Sequence, residues 1–426
     1  SRMQLLSSFD SGWFTMRAQN GSNSFKELKH LLGVNHASQV PKVIEVFVKA
    51  IDGNNNGFIF KAMGAAMGDD SRHYGGLIFA YDETTVRLWA PTKNDDLNRG
   101  SIINIFDGWG GEVNAQQSNV AQVRIIANGN CSIDWDFESE WFNLSSQADN
   151  KSFKEIAHGI GEVPSEVRVL TRALDGSNKG FIFEAVGMAQ SDDDIGNSYG
   201  GLIYGYDKYH VRLWAPSANS QEITSNSNGA IINVRDGWGD EIHAQSSNHA
   251  QVMVTARTNI PCGTGGSADF DSGWVSLSSQ AGTASYVELF HGLEAIPDYV
   301  RVLMRANDGV NAGFVFEGMG NAQTDDLNGA YGGVVFGYDR TRVRIWAPDR
   351  NDDKYTNGHI ISIIDGWGGE VSVQQSQSAS IKVLAWQNCS LCGKATPSTS
   401  SRNQPTFTPS FHPSLLPSMT KSAKPT

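Results

Sequence analysis

A pattern of about 129 residues occurs three times in succession and constrains this chain more than any other feature. The tetrapeptide Asp-Gly-Trp-Gly begins at Asp107, Asp236 and Asp365, and both intervals are 129 residues. The strings Arg-Leu/Ile-Trp-Ala-Pro and Tyr-Gly-Gly recur in the same order. A unit of this length can bury its own core, so the repeat predicts tandem domains rather than short solenoid units.

The repeats account for most of the 426 residues. We place them at 1–130, 131–261 and 262–392, and a tail follows at 393–426. From Lys394 onward, 19 of 33 residues are Ser, Thr or Pro, and none is acidic. Such a segment buries too little apolar surface to offset its ordering entropy, which predicts a disordered tail.

Short apolar runs within each repeat indicate β-strands. In the first repeat these runs are Val43–Ile51, Gly57–Gly64, Gly75–Asp82, Val86–Ala90, Ser101–Phe106 and Ala121–Ala127. Turn residues separate them, which predicts an all-β chain of three tandem antiparallel β-sandwich, jelly-roll-like domains. Ser24–Leu32 has the composition of a short helix, but its equivalent Ser285–Phe290 has β-type residues, so both readings stay open.

Composition excludes several classes of function. The net charge is −12, and basic side chains are needed to replace the counterions of a nucleic acid, so no nucleic-acid partner is expected. No apolar run reaches the roughly 20 residues of a membrane span. No phosphate-binding glycine loop is present. We also expect no enzymatic activity, because the same side chains recur three times without a catalytic constellation in any one copy.

Cysteines and sequons favour a secreted, extracellular glycoprotein with disulfide bonds. The cysteines are Cys131, Cys262, Cys389 and Cys392, and their pairing stays open among three connectivities. A zinc site at Cys389-Ser390-Leu391-Cys392 is disfavoured because no second pair has suitable spacing. The N-glycosylation candidates are Asn20, Asn130, Asn143, Asn150 and Asn388.

The Arg-Leu/Ile-Trp motif supplies the first candidate ligand-binding residues. In a strand, Arg87 and Trp89 share one face, while Val86 and Leu88 share the other. The equivalent pairs are Arg212 with Trp214 and Arg344 with Trp346. One reading is a face that binds sugars or anions, and the favoured alternative is a tryptophan core layer edged by arginine.

The Asp-Gly-Trp-Gly turn supplies the second set, Trp109, Trp238 and Trp367. Each turn is followed by an acid: Glu112, Glu241 or Glu370. Either the indole contacts a ligand with carboxylates beside it, or it folds back over the end of the sandwich.

Adjacent acids are candidate calcium ligands, although no cofactor is required. One set recurs before Tyr-Gly-Gly: Asp69 and Asp70, Asp192 and Asp193, and Asp325 and Asp326. A second set, Asp95-Asp96 and Asp352-Asp353, is replaced by Ser217–Ser220 in the second repeat. Calcium takes six to eight oxygens, so these pairs would supply only part of a shell, and a solvated acidic loop is the favoured alternative.

A histidine also recurs, at His30, His158 and His291. No nucleophile-elbow serine or cysteine accompanies it, so we predict a structural role.

Taken in order, these motifs resemble a repeat of secreted marine-invertebrate extracellular proteins, in particular the uncharacterised skeletal organic matrix proteins of stony corals. The resemblance covers about residues 9–390 in all three copies. The first copy departs from it, with His30-Leu31-Leu32 in place of His-Gly and Lys49-Ala50 in place of Arg-Ala. There is a weaker likeness, in pattern only, to lectin-type β-sandwich domains.

The resemblance implies a secreted, non-enzymatic extracellular matrix protein that takes part in biomineralization of a calcified skeleton. Its expected partners are matrix polymers, glycans or a mineral surface. The alternative is a multivalent, lectin-like adhesion protein that binds carbohydrate through its Trp, Arg and Asp residues.

Overall fold

The computed structural model describes most of the three repeats. The described residues are 8–32, 40–68, 72–95, 98–129, 135–191, 198–217, 229–235, 237–260, 262, 267–323, 329–352, 356–363, 366–387 and 389. Within them the chain consists of β-strands and short 3₁₀ turns, without an α-helix.

The strands are numbered in chain order. Those of the first repeat are β1 (Ser8–Asp10), β2 (Phe14–Arg17), β3 (Phe25–Lys29), β4 (Val43–Ala50), β5 (Ile59–Lys61), β6 (Arg72–Gly75), β7 (Ile78–Tyr81), β8 (Thr85–Trp89), β9 (Asn98–Ser101), β10 (Ile103–Ile105), β11 (Gln116–Ser118) and β12 (Val120–Asn128). Those of the second are β13 (Phe137–Glu138), β14 (Phe142–Ser145), β15 (Phe153–Ala157), β16 (Glu166–Ala173), β17 (Ile182–Glu184), β18 (Tyr199–Gly200), β19 (Ile203–Tyr206), β20 (His210–Trp214), β21 (Gly229–Ala230), β22 (Ile232–Val234), β23 (Gln245–Ser247) and β24 (His249–Arg257). Those of the third are β25 (Phe270–Asp271), β26 (Val275–Ser278), β27 (Tyr286–Phe290), β28 (Tyr299–Ala306), β29 (Val315–Glu317), β30 (Gly329–Gly332), β31 (Val335–Tyr338), β32 (Arg342–Trp346), β33 (Asn351–Asp352), β34 (Thr356–His359), β35 (Ile361–Ile363), β36 (Gln374–Ser376) and β37 (Ser378–Trp386).

Among the described residues, two 3₁₀ turns lie in each repeat. They are Gly21–Ser24 and Gly110–Glu112, Asp149–Ser152 and Gly239–Glu241, and Gly282–Ser285 and Gly368–Glu370.

Each repeat divides its main strands between two antiparallel sheets. In the first repeat, β1, β2, β12, β4 and β5 lie in one sheet, and β3, β8 and β7 lie in another. The second repeat separates β13, β14, β24, β16 and β17 from β15, β20 and β19, and the third separates β25, β26, β37, β28 and β29 from β27, β32 and β31. The repeats therefore share one sandwich topology, which confirms the predicted all-β class.

Each eight-stranded sheet is completed by strands of a neighbouring repeat. The joining strands are β17 with β7, β29 with β19 and β5 with β31, and their paired residues are Ile182 and Tyr81, Val315 and Tyr206, and Ile59 and Tyr338. The last pair joins the first repeat to the third, so the repeats form a closed ring with pseudo-threefold symmetry. The repeat pattern alone did not predict this sharing of sheets.

The apolar cores follow from strand alternation. On β8, Val86 and Leu88 lie in the core of the first repeat, whereas Trp89 lies in the core of the second. The β7–β8 half of the sheet is therefore covered on both faces. The predicted alternation of this motif is confirmed, and it explains why both faces of the strand are apolar.

Several predictions of local structure can be compared with the observed strands. All six predicted runs of the first repeat overlap a strand, namely β4, β5, β7, β8, β10 and β12. The segment at Ser24–Leu32 contains strand β3, because its residues pair with β8 across Phe25 to Lys29. Ser1–Gly393 forms one compact unit. The predicted boundaries fall between β12 and β13 and between β24 and β25, and the tail at 393–426 lies outside the described residues.

The backbones of different repeats lie against one another at three glycines around the pseudo-threefold axis. A Cβ atom added at Gly64 would overlap the backbone of Glu184. In the same way, Gly187 meets Glu317 and Gly320 meets Lys61. Glycine is needed at these positions because the backbones of successive repeats leave no room for a side chain.

A disulfide joins Cys262 to Cys389, with a Cα–Cα distance of 4.2 Å. It links the segment before β25 to the segment after β37 and so closes the third repeat. Cys262 packs in a small apolar cluster with Ile260 and Trp386. Cys131 and Cys392 lie outside the described residues.

Candidate functional site

The six tryptophans predicted as ligand contacts are all buried. Trp89, Trp214, Trp346, Trp109, Trp238 and Trp367 have no exposed surface. Their indole rings therefore offer no face to a ligand at the protein surface. The sequence left two alternatives open for each motif. In the structure, the tryptophans of the Arg-Leu/Ile-Trp motif form a core layer, and those of the Asp-Gly-Trp-Gly turn fold back into the protein.

The tryptophan of the Arg-Leu/Ile-Trp motif joins one repeat to the next. The indole N–H of Trp89 donates to the carbonyl of Ile242 at 2.8 Å. Trp214 donates likewise to Val371 at 2.8 Å. Trp346 donates to Val113 of the first repeat at 2.7 Å, which completes the ring.

The Asp-Gly-Trp-Gly and Tyr-Gly-Gly motifs meet at the same junctions. Pro91, Pro216 and Pro348 form β-bridges with Trp238, Trp367 and Trp109, respectively. The Tyr74 hydroxyl donates to the Gly237 carbonyl at 2.6 Å, and its ring packs edge-on against Trp238. These motifs recur because the same inter-repeat contact is made three times.

The arginine of each motif lies at the edge of the same junction. Arg87 Nε donates to Glu27 at 2.9 Å, and its Nη1 donates to the Ser177 carbonyl and to Asn178 Oδ1 at 2.8 Å. The guanidinium also stacks over Phe181 of the second repeat, 3.9 Å from the ring centre. Arg212 and Arg344 make the equivalent contacts with Glu155 and Glu288 and with the repeat that follows.

An exposed glutamate occupies a strained backbone conformation beside each junction. Glu112, Glu241 and Glu370 have φ of 60°, 60° and 62°. The left-handed region costs a residue with a Cβ roughly 1–2 kcal/mol. All three side chains are exposed. Packing therefore does not explain why glutamate, rather than glycine, stands at this position in every repeat.

Each junction also carries a half-buried aromatic ring and one polar residue that differs. Phe25 lies 5.4 Å from His243, measured between ring centres. At the junction of the third and first repeats, Asn114 donates to the Tyr286 hydroxyl at 3.0 Å. We call each such set a junction surface, and the three sets are Phe25, Glu27, Arg87, Glu241 and His243; Phe153, Glu155, Arg212, Glu370 and Ser372; and Tyr286, Glu288, Arg344, Glu112 and Asn114.

Local electrostatics distinguish the three surfaces. The pKa of His243 is lowered mainly by burial and, to a smaller extent, by the positive charge of Arg87, so the imidazole is neutral at pH 7. The pKa of Tyr286 is raised to about 12, mainly by burial and, to a smaller extent, by its hydrogen bond to Glu288. The first surface thus offers a neutral imidazole, and the third offers a phenol.

The repeated histidine has the structural role that we predicted. His30 is buried, its Nε2 lies 3.2 Å from the Asp82 carbonyl, and its Nδ1 accepts the Leu32 N–H at 3.2 Å. His158 and His291 repeat this arrangement. The imidazole of each histidine therefore holds a loop in place beside its sandwich.

The predicted calcium ligands lie largely outside the described residues. Asp69, Asp70, Asp192, Asp193, Asp325 and Asp326 are all in that category, as are Asp96 and Asp353. Among the residues that are described, no group of three or more His, Cys, Asp or Glu side chains could hold a metal ion. Of the glycosylation candidates, Asn20, Asn143 and Asn150 are exposed, whereas Asn130 and Asn388 are not described.

Sequence reasoning missed a buried network of charges around the axis. We call it the axial cluster, and it consists of Glu45, Lys61, Glu166, Arg168, Glu184, Arg257, Tyr299, Arg301 and Glu317. Arg168 Nη2 lies 2.9 Å from both Glu45 Oε1 and Glu184 Oε1, so it bridges two repeats. A lone Glu45 within the apolar strand Val-Ile-Glu-Val-Phe-Val was the available signal.

The polarity of the axial cluster is reversed in the first repeat. Equivalent positions on β4, β16 and β28 hold Glu45, Arg168 and Arg301. At the ends of β5, β17 and β29 the partners are Lys61, Glu184 and Glu317. Glu166 is held by Arg257 and by the Tyr299 hydroxyl, the latter at 3.1 Å. Acidic and basic groups are thereby balanced around the axis.

The pKa values of Glu184 and Glu166, two carboxylates of the axial cluster, are shifted in opposite directions. Burial raises the pKa of Glu184 to about 7, and the attraction of Arg168 offsets only part of this rise. For Glu166, burial also opposes ionisation, but Arg257, Arg168 and Arg301 outweigh it and lower the pKa. Glu184 keeps 23% of its side chain exposed, and it lines a cavity that also touches Glu45 and Lys61.

Within the described residues, no helix has both the length and the apolar character needed to cross a membrane. Comparison with known proteins gave no match to any family model and no significant match to a curated protein. The likeness to skeletal matrix proteins therefore stays a prediction from the motifs.

Proposed function

We propose that this protein is a non-enzymatic, multivalent binding protein that recognises carbohydrate through its three junction surfaces. The observation that carries the proposal is the exposed glutamate held at φ near +60° in all three repeats. Backbone strain that serves no packing purpose is typical of functional positions. Repetition of the strain in each copy argues for a role that each copy performs.

The chemistry of the junction surface suits a sugar. A half-buried ring such as Phe25 can pack against the C–H face of a pyranose, while Glu27, Glu241 and Arg87 offer acceptors and donors for its hydroxyls. Arg87, Arg212 and Arg344 thus remain candidate ligand contacts from the sequence analysis. The six buried tryptophans support this site from beneath.

The closed ring favours multivalency. Three surfaces on one compact unit keep fixed mutual distances, so a branched or clustered glycan can engage more than one of them. Linked sites raise the apparent affinity by roughly 10²–10⁴ without any new contact. A single weak site would gain little from this architecture.

For its setting we propose a secreted protein of an extracellular matrix, in line with the resemblance to skeletal matrix proteins. The Cys262–Cys389 disulfide supports an oxidising compartment. The net charge of −12 favours weak contact with calcium or mineral, and that contact should weaken with added salt. Mineral binding that does not depend on ionic strength would contradict this part of the proposal.

A glycan array tests the carbohydrate proposal. The chain carrying Glu112→Gln, Glu241→Gln and Glu370→Gln should fold normally and lose binding. A matched control carries Glu140→Gln, Glu162→Gln and Glu294→Gln, three exposed glutamates outside the junction surfaces. Equal binding by both variants, or no binding by the unaltered chain, would refute the proposal.

A further inference from the structure

Two of the predicted glycosylation sequons lie beside junction surfaces. Asn20-Gly21-Ser22 overlaps the 3₁₀ turn of the first repeat, and Asn150-Lys151-Ser152 lies in the equivalent turn of the second. These turns contact the turns at Gly239–Glu241 and Gly368–Glu370, respectively, which contain the strained glutamates.

Asn150 lies directly against the next repeat. A Cβ atom added at Gly369 would overlap the backbone of Asp149 and Asn150, so the two turns touch at this point. Glu370 is the next residue along the chain. The Asn150 side chain is exposed and makes no hydrogen bond to any described residue. A sugar attached to its amide would therefore begin at the edge of the junction surface between the second and third repeats.

Asn20 lies at the start of the equivalent turn, at the junction between the first and second repeats, two positions before the residue that corresponds to Asn150. Its N–H donates to Ser24 Oγ at 3.0 Å, which fixes the residue at the start of the turn. Gly21, beside it, faces Asp240 of the second repeat, since a Cβ added there would lie 3.8 Å from Asp240 Oδ2. The Asn20 side chain is exposed and also makes no hydrogen bond to any described residue.

The third repeat lacks a sequon at this place. Its turn has the sequence Ala281-Gly282-Thr283-Ala284. The register is certain because the Ala281 N–H donates to Ser285 Oγ at 3.0 Å, as Asn20 does to Ser24. The junction surface between the third and first repeats, which contains Tyr286 and Arg344, therefore has no attachment site in its turn.

We propose that N-linked glycans at Asn20 and Asn150 cover two of the three junction surfaces and leave the third free. Glycosylation would then set the valency of the protein, with one open site on the glycosylated chain and three on the chain without these glycans. An N-linked glycan is bulky and hydrophilic, so one that starts at the edge of a junction surface excludes a second sugar from it. This inference rests on the proposed carbohydrate binding.

Asn143 provides a matched control. It is a third exposed sequon, located on β14, where it pairs with Gln251 of β24. Its strand lies in the other sheet of the second repeat from β15, the strand that follows the Asn150 turn. A glycan at Asn143 should therefore leave the junction surfaces unchanged.

The test uses the full chain secreted from a eukaryotic cell line. Glycopeptide mapping gives the occupancy of Asn20, Asn143 and Asn150. Native mass spectrometry then counts bound monosaccharide, with mannose, glucose, galactose and N-acetylhexosamine as probes. We expect one bound sugar on the glycosylated chain and on Asn143→Gln, and three on the Asn20→Gln/Asn150→Gln double variant. Endoglycosidase trimming after folding should also open the two covered sites, which guards against misfolding of the variant.

The outcomes separate the two proposals. Unmodified Asn20 and Asn150, or three bound sugars on a chain glycosylated at both, would overturn the masking inference and leave carbohydrate binding intact. No binding by any form, trimmed or untrimmed, would overturn the carbohydrate proposal itself, and the masking inference with it.

Discussion

The junction surfaces follow the threefold repeat of the sequence, whereas the axial cluster departs from it. At the junctions the same residues recur, and Trp89, Trp214 and Trp346 each donate to a carbonyl of the next repeat. At the axis the equivalent positions differ, and Glu45 stands where Arg168 and Arg301 stand in the other repeats.

The difference follows from which residues contact one another at a junction and at the axis. At a junction, a residue of one repeat contacts a different part of the next, so one successful contact can be copied three times. At the axis, equivalent residues approach one another, and three identical buried charges would repel strongly in a low dielectric. A single chain can vary these residues independently, whereas a trimer of identical repeats cannot.

The largest expected effect comes from making the axis symmetric in charge. Glu45→Arg removes a partner of Arg168 and places an arginine at all three equivalent positions, which should cost at least about 3–5 kcal/mol of unfolding free energy. The double variant Glu45→Arg/Lys61→Glu should recover part of this loss, because each arginine again has a glutamate in its own repeat. Denaturant unfolding measures both. A double variant as stable as the unaltered chain would show that the asymmetry is dispensable.

Removal of the buried tryptophan should instead lower the unfolding free energy equally at all three junctions. Trp89→Ala, Trp214→Ala and Trp346→Ala should each lower the unfolding free energy by about 3–5 kcal/mol, since each removes a fully buried indole with the same hydrogen bond. Trp13→Ala, a half-exposed control, should cost less. A much smaller effect at Trp346 than at the other two would contradict ring closure between the third and first repeats.

The pH dependence of stability should include a contribution from the axial cluster. Because the folded pKa of Glu184 is about 7 and the reference value is 4.5, the folded state holds the proton more tightly between these values. The contribution of Glu184 to stability should therefore fall as pH rises from about 4.5 to 7, by up to about 3 kcal/mol.

Glu184→Gln, which mimics the protonated form, should flatten this part of the profile. Glu162→Gln, at an exposed position, serves as the control and should leave the slope unchanged. An unchanged slope in Glu184→Gln would show that another group titrates. The pKa of Glu166 is lowered, so its own contribution is lost only at more acidic pH, outside this window.

The smallest effect is expected at the strained glutamates. Glu241→Gly should leave stability unchanged or raise it by up to about 1 kcal/mol, because relief of the left-handed strain opposes the extra entropy of glycine in the unfolded chain. Sugar binding at that junction should be lost at the same time. Thermal unfolding together with binding stoichiometry measures both, and a clear loss of stability would instead assign Glu241 a structural role.

The sequence by itself determined the repeat, the all-β class and most strands. Short apolar runs such as Val-Ile-Glu-Val-Phe-Val are local, so they are visible without a structure. The alternation of Val86 and Leu88 against Arg87 and Trp89 was predictable for the same reason. The exposed turn glutamates were also visible, since they follow the repeated Trp-Gly in every copy.

Only the tertiary structure decided what the motifs are for. The period of 129 residues gives three copies but contains no information on which strand pairs with which repeat. The sheets of neighbouring repeats pair through one residue pair each, as at Tyr338 and Ile59, and Arg168 finds Glu45 across 123 positions of sequence. Such contacts depend on the closed arrangement of all three repeats, so the tryptophans that sequence suggested as ligand contacts prove to be the buried residues that hold the ring together.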